Sequence, residues 1–221
     1  QGYLNRNPCT KEYARILADG YEALSGRRGY QFIQGFRPNA SGFTIIGMSG
    51  VGKSTAVEKI LSLYPQCISH DSYHGQPLVL TQIVWLKLDC PHDGSIKGLC
   101  FQFFEAIDRA MGTDYFPRYT KSRYTVDVLM VLMTQLVNLY QIGILVIDEI
   151  QHLSLAKGGG SEKMLNFFVT LVNTIGIPVV MIGTTKAMSI LQSEFRQARR
   201  GSGQGDLLWD RMQNDLSWKV F

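Results

Sequence analysis

The sequence predicts an α/β protein with a doubly wound, mostly parallel five-stranded sheet. Residues 144–147 and 178–182 form continuous apolar runs of strand length, without an alternating polar face. Such strands are buried on both faces, as parallel strands covered by helices are. Segments with the 3.6-residue apolar spacing of helices lie between the strand-type runs. Strands that alternate with helices indicate parallel connections and hence this fold class.

The individual elements follow in chain order from local signals. The predicted strands are residues 43–46, 82–88, 144–147, 178–182 and 206–211. The predicted helices begin near Thr10, Lys53, Ser95, Thr125 and Asp215. Ser95 and Thr125 are expected N-caps, because a hydroxyl oxygen accepts a hydrogen bond from a free N–H of the first helical turn. Residues 69–76, with His70 and His74, and residues 112–124 are predicted to be loops, the second one polar, aromatic and basic.

Length and composition limit the class of protein. The 221 residues suffice for one α/β domain, and a chain with 45% hydrophobic and 18% charged residues is expected to fold throughout. Polar residues interrupt the longest apolar region before it reaches the roughly 18 residues of a spanning helix, so we expect no membrane partner. The chain starts at Gln1 without an initiator Met, and we interpret it as a fragment.

Cysteine spacing and charge give weaker indications. Four cysteines occur without a C-x-x-C pair, which favours reduced thiols and a cytoplasmic location over a zinc ribbon or a disulfide framework. A formal net charge of +4 is compatible with a polyanionic partner but does not identify one.

Residues 47–54, with the sequence GMSGVGKS, satisfy the G-x-x-x-x-G-K-[ST] pattern of a phosphate-binding loop between a strand and a helix. The glycines allow successive backbone N–H groups to face a phosphate, and the helix adds its positive end. Lys53 is expected to contact the β- and γ-phosphates of ATP, and Ser54 to ligate Mg²⁺. The candidate nucleotide-binding residues are Gly47, Ser49, Gly50, Val51, Gly52, Lys53, Ser54 and Thr55.

A second motif ends the apolar strand at residues 144–147 with two carboxylates. Asp148 is predicted to hold Mg²⁺, and Glu149 to polarise the water that attacks the γ-phosphate. Many small-molecule P-loop kinases need no water-activating Glu directly after the metal-site Asp. The pair therefore favours an ATPase that hydrolyses Mg-ATP over a phosphotransferase.

Further candidates follow the next apolar strand. Thr184 or Thr185 is positioned to sense the γ-phosphate, with Thr184 preferred. Among the basic residues Arg196, Arg199 and Arg200, an exposed arginine can reach the γ-phosphate of a neighbouring subunit. The alternatives are a strand-end hydroxyl with a structural role and a solvated basic cluster.

Three segments carry a resemblance to a known family. DEIQHL at residues 148–153, VVMIGTTKA at residues 179–187 and QARR at residues 197–200 resemble AAA+ ATPases of DNA transposition in the TnsC/TniB family, TnsC more than TniB. The resemblance spans about residues 30–221. The two nucleotide motifs are shared by very many ATPases, whereas the combination of DEIQHL and GTTKA is narrower.

The resemblance implies an ATP-dependent regulator that oligomerises on target DNA as a ring or filament and links a target-selector protein to the transposase. It also implies that Thr184 or Thr185 is sensor 1, that Arg199 or Arg200 acts in trans, and that the C-terminal lid is largely missing. The expected organisation is a helical segment at residues 1–40, an AAA+ core at 41–213 and the start of the lid at 214–221.

Four basic residues form the candidate DNA surface. They are Lys97, Arg118, Lys121 and Arg123. They lie in two segments beside one core helix, and a helix N-terminus near Ser95 adds N–H donors for phosphate, which suits sequence-independent backbone contacts with double-stranded DNA. A solvated basic loop is the alternative.

At the level of function, the alternatives are an AAA+ motor of another pathway, either secretion-associated or helicase-loading, and a P-loop kinase.

Overall fold

The computed structural model describes residues 42–155, 167, 176–187 and 206–210. The chain divides into two compact units. Residues 39–68 and 82–221 form the unit that contains the main sheet, and residues 69–81 are the described part of the other unit. The predicted boundaries after residues 40 and 213 lie outside the described residues and stay a prediction.

Five parallel strands form the main sheet. The strands of the described chain are β1 (Gly42–Gly47), β2 (Cys67–Tyr73), β3 (Gln76–Ile83), β4 (Trp85–Asp89), β5 (Ile144–Asp148), β6 (Val179–Gly183) and β7 (Asp206–Trp209). The main sheet has the order β4-β5-β6-β1-β7, and its neighbouring strands pair in parallel. The predicted doubly wound five-stranded sheet is confirmed. Because all five strands run the same way, their carboxyl ends meet at one edge.

The helices of the described residues flank these strands. They are α1 (Lys53–Leu61), α2 (Ile96–Met111), α3 (Tyr115–Thr120) and α4 (Val126–Leu139), with 3₁₀ turns at Ile150–Leu155 and Thr185–Ala187. Both predicted N-caps are present. The Ser95 hydroxyl accepts from the Gly98 N–H at 3.1 Å, and the Thr125 hydroxyl accepts from the Val128 N–H at 3.4 Å. The helices predicted to begin near Thr10 and Asp215 lie outside the described residues.

The segment before β4 differs from its prediction. The loop expected at residues 69–76 is wrong, because β2 and β3 form a two-stranded sheet with a turn at His74 and Gly75. His74 and Gly75 have φ angles of 50° and 80°, so the turn uses the left-handed region. The strand expected at residues 82–88 is also wrong in its bounds, since it is interrupted at Val84 between β3 and β4. Residues 69–72 of β2 are all polar and no side chain of β2 is fully buried, so β2 lacks the apolar alternation that would reveal a strand.

The loop expected at residues 112–124 contains the short helix α3. The Asp108 carboxylate, at the end of α2, accepts hydrogen bonds from the backbone N–H groups of Tyr115 and Phe116 at 2.8 and 2.7 Å and from the Thr113 hydroxyl at 2.6 Å. These bonds satisfy the free N–H groups at the start of α3. The cap comes from a neighbouring helix, which the local sequence pattern does not reveal.

Helices cover both faces of the sheet. On one face, Ile45, Val146 and Val180 pack with α1. On the other face, Ile46, Leu145 and Met181 belong to a larger core with α2 and α4. Successive strand residues point to opposite faces, so this division explains why the central strands read as continuous apolar runs. Within the described residues, no helix is long and apolar enough to cross a membrane.

Candidate nucleotide-binding site

The glycine-rich loop turns from β1 into α1 through left-handed backbone. Gly50 and Gly52 have φ angles of 79° and 88°, and Gly52 is the N-cap of α1. A Cβ built at either position meets no heavy atom within 4 Å, so the loop forms an open cradle. Gly47 has a different reason to be glycine. A Cβ there would overlap the Trp209 carbonyl oxygen of the neighbouring strand β7.

Lys53 brings a positive charge into this cradle. The side chain is buried, with 7% relative exposure, in the first turn of α1. Its Nζ donates hydrogen bonds to the carbonyl oxygens of Gly47 and Met48 at 3.0 and 2.7 Å. Both acceptors are neutral backbone groups of the loop itself. The ammonium group is therefore held at the loop by acceptors that an anionic phosphate can outcompete.

Two carboxylates stand at the end of β5. Asp148 is buried, with 4% relative exposure, and its Oδ1 accepts from the Glu149 backbone N–H at 2.8 Å. Glu149 has a φ angle of 59°, in the left-handed region that disfavours side chains with a Cβ. A residue held there costs about 1–3 kcal/mol and persists only when its surroundings fix it.

Lys87, in β4, is a member of this region that the sequence analysis missed. Its Nζ lies 3.5 Å from Asp148 Oδ2, 2.9 Å from Asp89 Oδ1 and 3.3 Å from Glu58 Oε1. Burial lowers the pKa of Lys87, but the hydrogen bond and charge of Asp89, with the Asp148 and Glu58 carboxylates, raise it above its ordinary value. In the sequence, Lys87 lies between the apolar residues Leu86 and Leu88 of a predicted strand, and this pattern could have identified it.

One pocket of about 200 Å³ joins the two motifs. It is lined by Ser49, Gly50, Gly52, Lys53, Ser54, Thr55, Asp148, Glu149, Gln151, Gly183 and Thr184. Of the residues predicted to bind nucleotide, Gly47 and Val51 are outside this lining. The pocket lies where β1, β5 and β6 end, which is the usual position of a ligand site in an open parallel sheet.

The groups around the pocket fit Mg-ATP. Ser54 and Asp148 contribute a hydroxyl and a carboxylate, and oxygen ligands of this kind suit Mg²⁺. The buried Thr184 hydroxyl oxygen has no hydrogen-bond partner within the described part of the chain. A buried polar atom in this state needs an explanation, and its position on the pocket supplies one. Thr185 is exposed and is not part of the lining.

A protein-family model described as AAA domain matches residues 38–191, which is more than half of the chain. The chain belongs to the AAA domain family. The match includes both nucleotide motifs and the strand β6, which Thr184 follows directly. It agrees with the five-stranded parallel sheet of the AAA+ P-loop NTPase fold.

Three solved structures illustrate what the chain is similar to. The ORC1 protein of Aeropyrum pernix in complex with DNA has 16% identity and a TM-score of 0.48, covering 90% of this chain and 44% of that one. A Walker-type ATPase of Pyrococcus abyssi has 15% identity and a TM-score of 0.49, covering 94% and 55%. The DnaC helicase loader has 13% identity and a TM-score of 0.40, covering 92% and 91%.

The chain thus spans about half the length of the first two structures. At these identities and TM-scores, the similarities carry no information on what this chain binds. No curated protein matches the chain.

Gln151 is a second residue of the pocket that the sequence analysis did not select. Its side-chain amide Nε2 donates to Glu149 Oε2, and its Oε1 accepts from the Thr184 backbone N–H at 3.0 Å. His152, which follows in the same 3₁₀ turn, does not line the pocket of the AAA domain. Its Nδ1 lies 3.1 Å from the Cys90 carbonyl oxygen, and its Nε2 lies 3.3 Å from His92 Nδ1.

The other candidate residues lie away from the pocket. Arg118, Lys121 and Arg123 are exposed on and after α3. Lys97 is half-buried, with its Nζ 5.6 Å from the centre of the Phe101 ring. The Phe101 ring contacts that of Phe116 edge to face, which brings the start of α2 beside α3. Arg196, Arg199 and Arg200 lie outside the described residues.

Proposed function

We propose that this AAA domain binds Mg-ATP in the 200 Å³ pocket and hydrolyses it. The observation that carries the proposal is the shared pocket itself, since Lys53, Asp148 and Glu149 come from motifs about 95 residues apart and line one space. A cation for phosphates, oxygen ligands for magnesium and a carboxylate that can accept a proton from water are the groups that ATP hydrolysis requires.

Each residue has a separate role in this proposal. Lys53 binds the phosphates, and the N–H groups of the glycine loop surround them. Ser54 and Asp148 hold Mg²⁺, which supplies positive charge against the phosphate oxygens. Glu149 accepts the proton of the attacking water, and the Thr184 hydroxyl orients that water. The buried, unpartnered state of the Thr184 hydroxyl within the described residues supports this role.

Replacing Lys53 tests the binding site. Lys53→Ala should abolish ATP binding in a fluorescence titration, because it removes the charge at the cradle and leaves the glycine turn intact. Lys59→Ala is the matched control, since Lys59 is an exposed lysine on the same helix. ATP affinity of Lys53→Ala equal to that of Lys59→Ala would contradict the assignment of the phosphate site.

We further propose that the chain regulates DNA transposition, as a relative of TnsC or TniB. The support is the resemblance in residues 148–153 and 179–187, two segments that adjoin at the pocket through the hydrogen bond between Gln151 and Thr184. In this proposal the domain oligomerises on double-stranded DNA with ATP, Arg199 or Arg200 completes the site of a neighbouring subunit, and the partners are a transposase and a target selector. An AAA+ motor that loads helicases or serves secretion remains the alternative.

The exposed cations around α3 are the proposed DNA surface. Arg118, Lys121 and Arg123 lie on one short segment and are solvent-exposed, as groups that bind backbone phosphates must be. The start of α2 contributes less than the sequence suggested. There the Asp93 carboxylate accepts from the Ser95 N–H at 2.9 Å, and its negative charge opposes a phosphate at the same helix end.

Salt dependence tests this surface. The triple substitution Arg118→Ala, Lys121→Ala and Arg123→Ala should weaken binding to all duplex sequences similarly in the presence of ATP. Each lost phosphate contact should reduce the slope of log K against log salt by about 0.9. Lys59→Ala, on the helix that covers the opposite face of the sheet, removes one charge and should leave the slope unchanged. An unchanged slope in the triple variant would move the DNA site elsewhere.

A further inference from the structure

Gln151 connects the two catalytic motifs through both ends of its carboxamide. The nitrogen donates to Glu149 Oε2, and the oxygen accepts from the Thr184 N–H at 3.0 Å. A carboxylate can only accept and an N–H can only donate, so the two partners fix which end of the amide faces which. Glu149 and Thr184 are 35 positions apart in the sequence, and one side chain bridges them.

Local packing holds this bridge close to the sheet. The 3₁₀ turn that starts at Ile150 follows Glu149 directly and rests against the end of β6. A Cβ at Gly183 would lie 2.5 Å from Ile150 Cγ1 and 3.3 Å from Gln151 Oε1. Glycine at position 183 therefore permits the close approach through which Gln151 reaches Thr184. The left-handed φ of 59° at Glu149 turns the chain between β5 and this segment.

We propose that Gln151 is a positioning residue that fixes the Glu149 carboxylate relative to the backbone of Thr184. This role rests on the proposed ATP hydrolysis, in which Glu149 accepts a proton from water and Thr184 orients that water. The amide engages Oε2 and leaves Oε1 to accept the proton. Restricting the side-chain torsions of a general base raises the fraction of time it spends in the productive orientation.

The alternative is that Gln151 only packs the 3₁₀ turn against β6. A packing role requires a side chain of similar size, and it does not require a donor that faces Glu149. A positioning role requires both. The substitution Gln151→Glu separates the two roles, because it keeps the size of the side chain and the acceptor for Thr184 but presents a second negative charge to Glu149.

The contact is tested first without nucleotide, by thermal unfolding of the 221-residue chain. Gln151→Glu should lower the melting temperature by about 2–4 °C at pH 8, because two carboxylates then face each other. The double variant Glu149→Gln, Gln151→Glu restores a donor and acceptor pair and should recover the wild-type melting temperature.

The positioning role is tested by separating binding from turnover. Gln151→Ala should keep ATP affinity within about twofold and slow single-turnover hydrolysis by about 10- to 100-fold. Gln135→Ala, an exposed glutamine on α4, is the matched control and should change neither quantity.

Different results overturn the two proposals. Gln151 is not a positioning residue if Gln151→Ala hydrolyses ATP at the rate of Gln135→Ala. The same conclusion follows if the double variant Glu149→Gln, Gln151→Glu is no more stable than Gln151→Glu. The proposed ATPase activity stands in both cases. If wild-type protein neither binds nor hydrolyses ATP, the proposed function fails. The unfolding measurements still report the Gln151–Glu149 contact in that case.

Discussion

The hydrogen bonds of Asp108 and Tyr140 hold the helical layer of α2, α3 and α4 together, whereas the pocket contains a left-handed backbone at Glu149 and, among the described residues, an unpartnered hydroxyl at Thr184. In the helical layer, Asp108 accepts three hydrogen bonds at the start of α3, and the hydroxyl groups of Tyr115 and Tyr140 lie 3.0 Å apart. Burial and the Tyr115 hydrogen bond raise the pKa of Tyr140 above its ordinary value. The Gln102 side-chain oxygen is an exception, buried without a partner among the described residues.

At the pocket, three residues have a backbone conformation or hydrogen bonding that is less favourable. Glu149 occupies left-handed backbone, the Thr184 hydroxyl lacks a partner within the described residues, and Lys53 is bound by neutral carbonyl groups. Such states persist where the surrounding structure enforces them, and they are common where a ligand completes the arrangement. Packing and hydrogen bonds in the helical layer therefore stabilise the fold, and this stability offsets the unfavourable local states at the edge of the sheet. Substitutions in the two regions should therefore act on different quantities.

The largest loss of stability is expected in the helical layer. Phe104→Ala should lower the free energy of unfolding by about 3–5 kcal/mol, because the Phe104 side chain is fully buried between Phe103 and Tyr119. Urea unfolding measures this loss. ATP affinity, measured at a temperature where the variant stays folded, should be unchanged. A stable variant with weakened ATP binding would show that the two regions are not separate.

A smaller loss is expected where α3 is capped. Asp108→Ala should cost about 1–3 kcal/mol, since it leaves the N–H groups of Tyr115 and Phe116 without their acceptor. Asp108→Asn keeps one acceptor oxygen and should cost less. Unfolding by urea compares the two, and both should keep wild-type ATP hydrolysis. Equal stability of Asp108→Ala and wild type would mean that this cap does not hold α3.

The smallest effect on stability is expected at the pocket. Thr184→Val replaces a buried hydroxyl that has no partner in the described chain by a methyl group, so the free energy of unfolding should change by less than about 0.5 kcal/mol or rise. Hydrolysis should nevertheless fall at least about tenfold. Thr185→Val, at the exposed neighbour, is the control and should leave hydrolysis unchanged. If Thr184→Val lost stability but hydrolysed ATP at the wild-type rate, both expectations for this position would be wrong.

Local sequence patterns predicted the parts of the molecule whose cause is local. Continuous apolar runs predicted the buried strands, hydroxyl N-caps predicted the starts of α2 and α4, and the spacing of glycines and Lys53 predicted the loop of the pocket. Asp148 and Glu149 were predicted from the two carboxylates that end an apolar strand, and Thr184 from its position at the end of the next apolar strand.

Features that depend on distant partners were not predicted. In the hairpin of β2 and β3, residues 69–72 are all polar and no side chain of β2 is fully buried, so β2 carries no apolar alternation. Helix α3 is capped by Asp108 from another helix. Lys87 of β4 forms an ion pair with Asp148 of the neighbouring strand β5. Gln151 looked like an ordinary polar residue in a turn. Its importance arises from the contact with Thr184, 33 residues away.

In the proposed mechanism, Glu149 activates water for ATP hydrolysis in a pocket that binds ATP without this side chain. Glu149→Gln separates these two functions, because the amide keeps the size of the side chain and removes its capacity to accept a proton. ATP affinity by titration and hydrolysis in a single turnover should be measured on the same preparation. We expect ATP affinity to be unchanged and hydrolysis to be at least about tenfold slower than in the wild type. Wild-type hydrolysis in Glu149→Gln would contradict it.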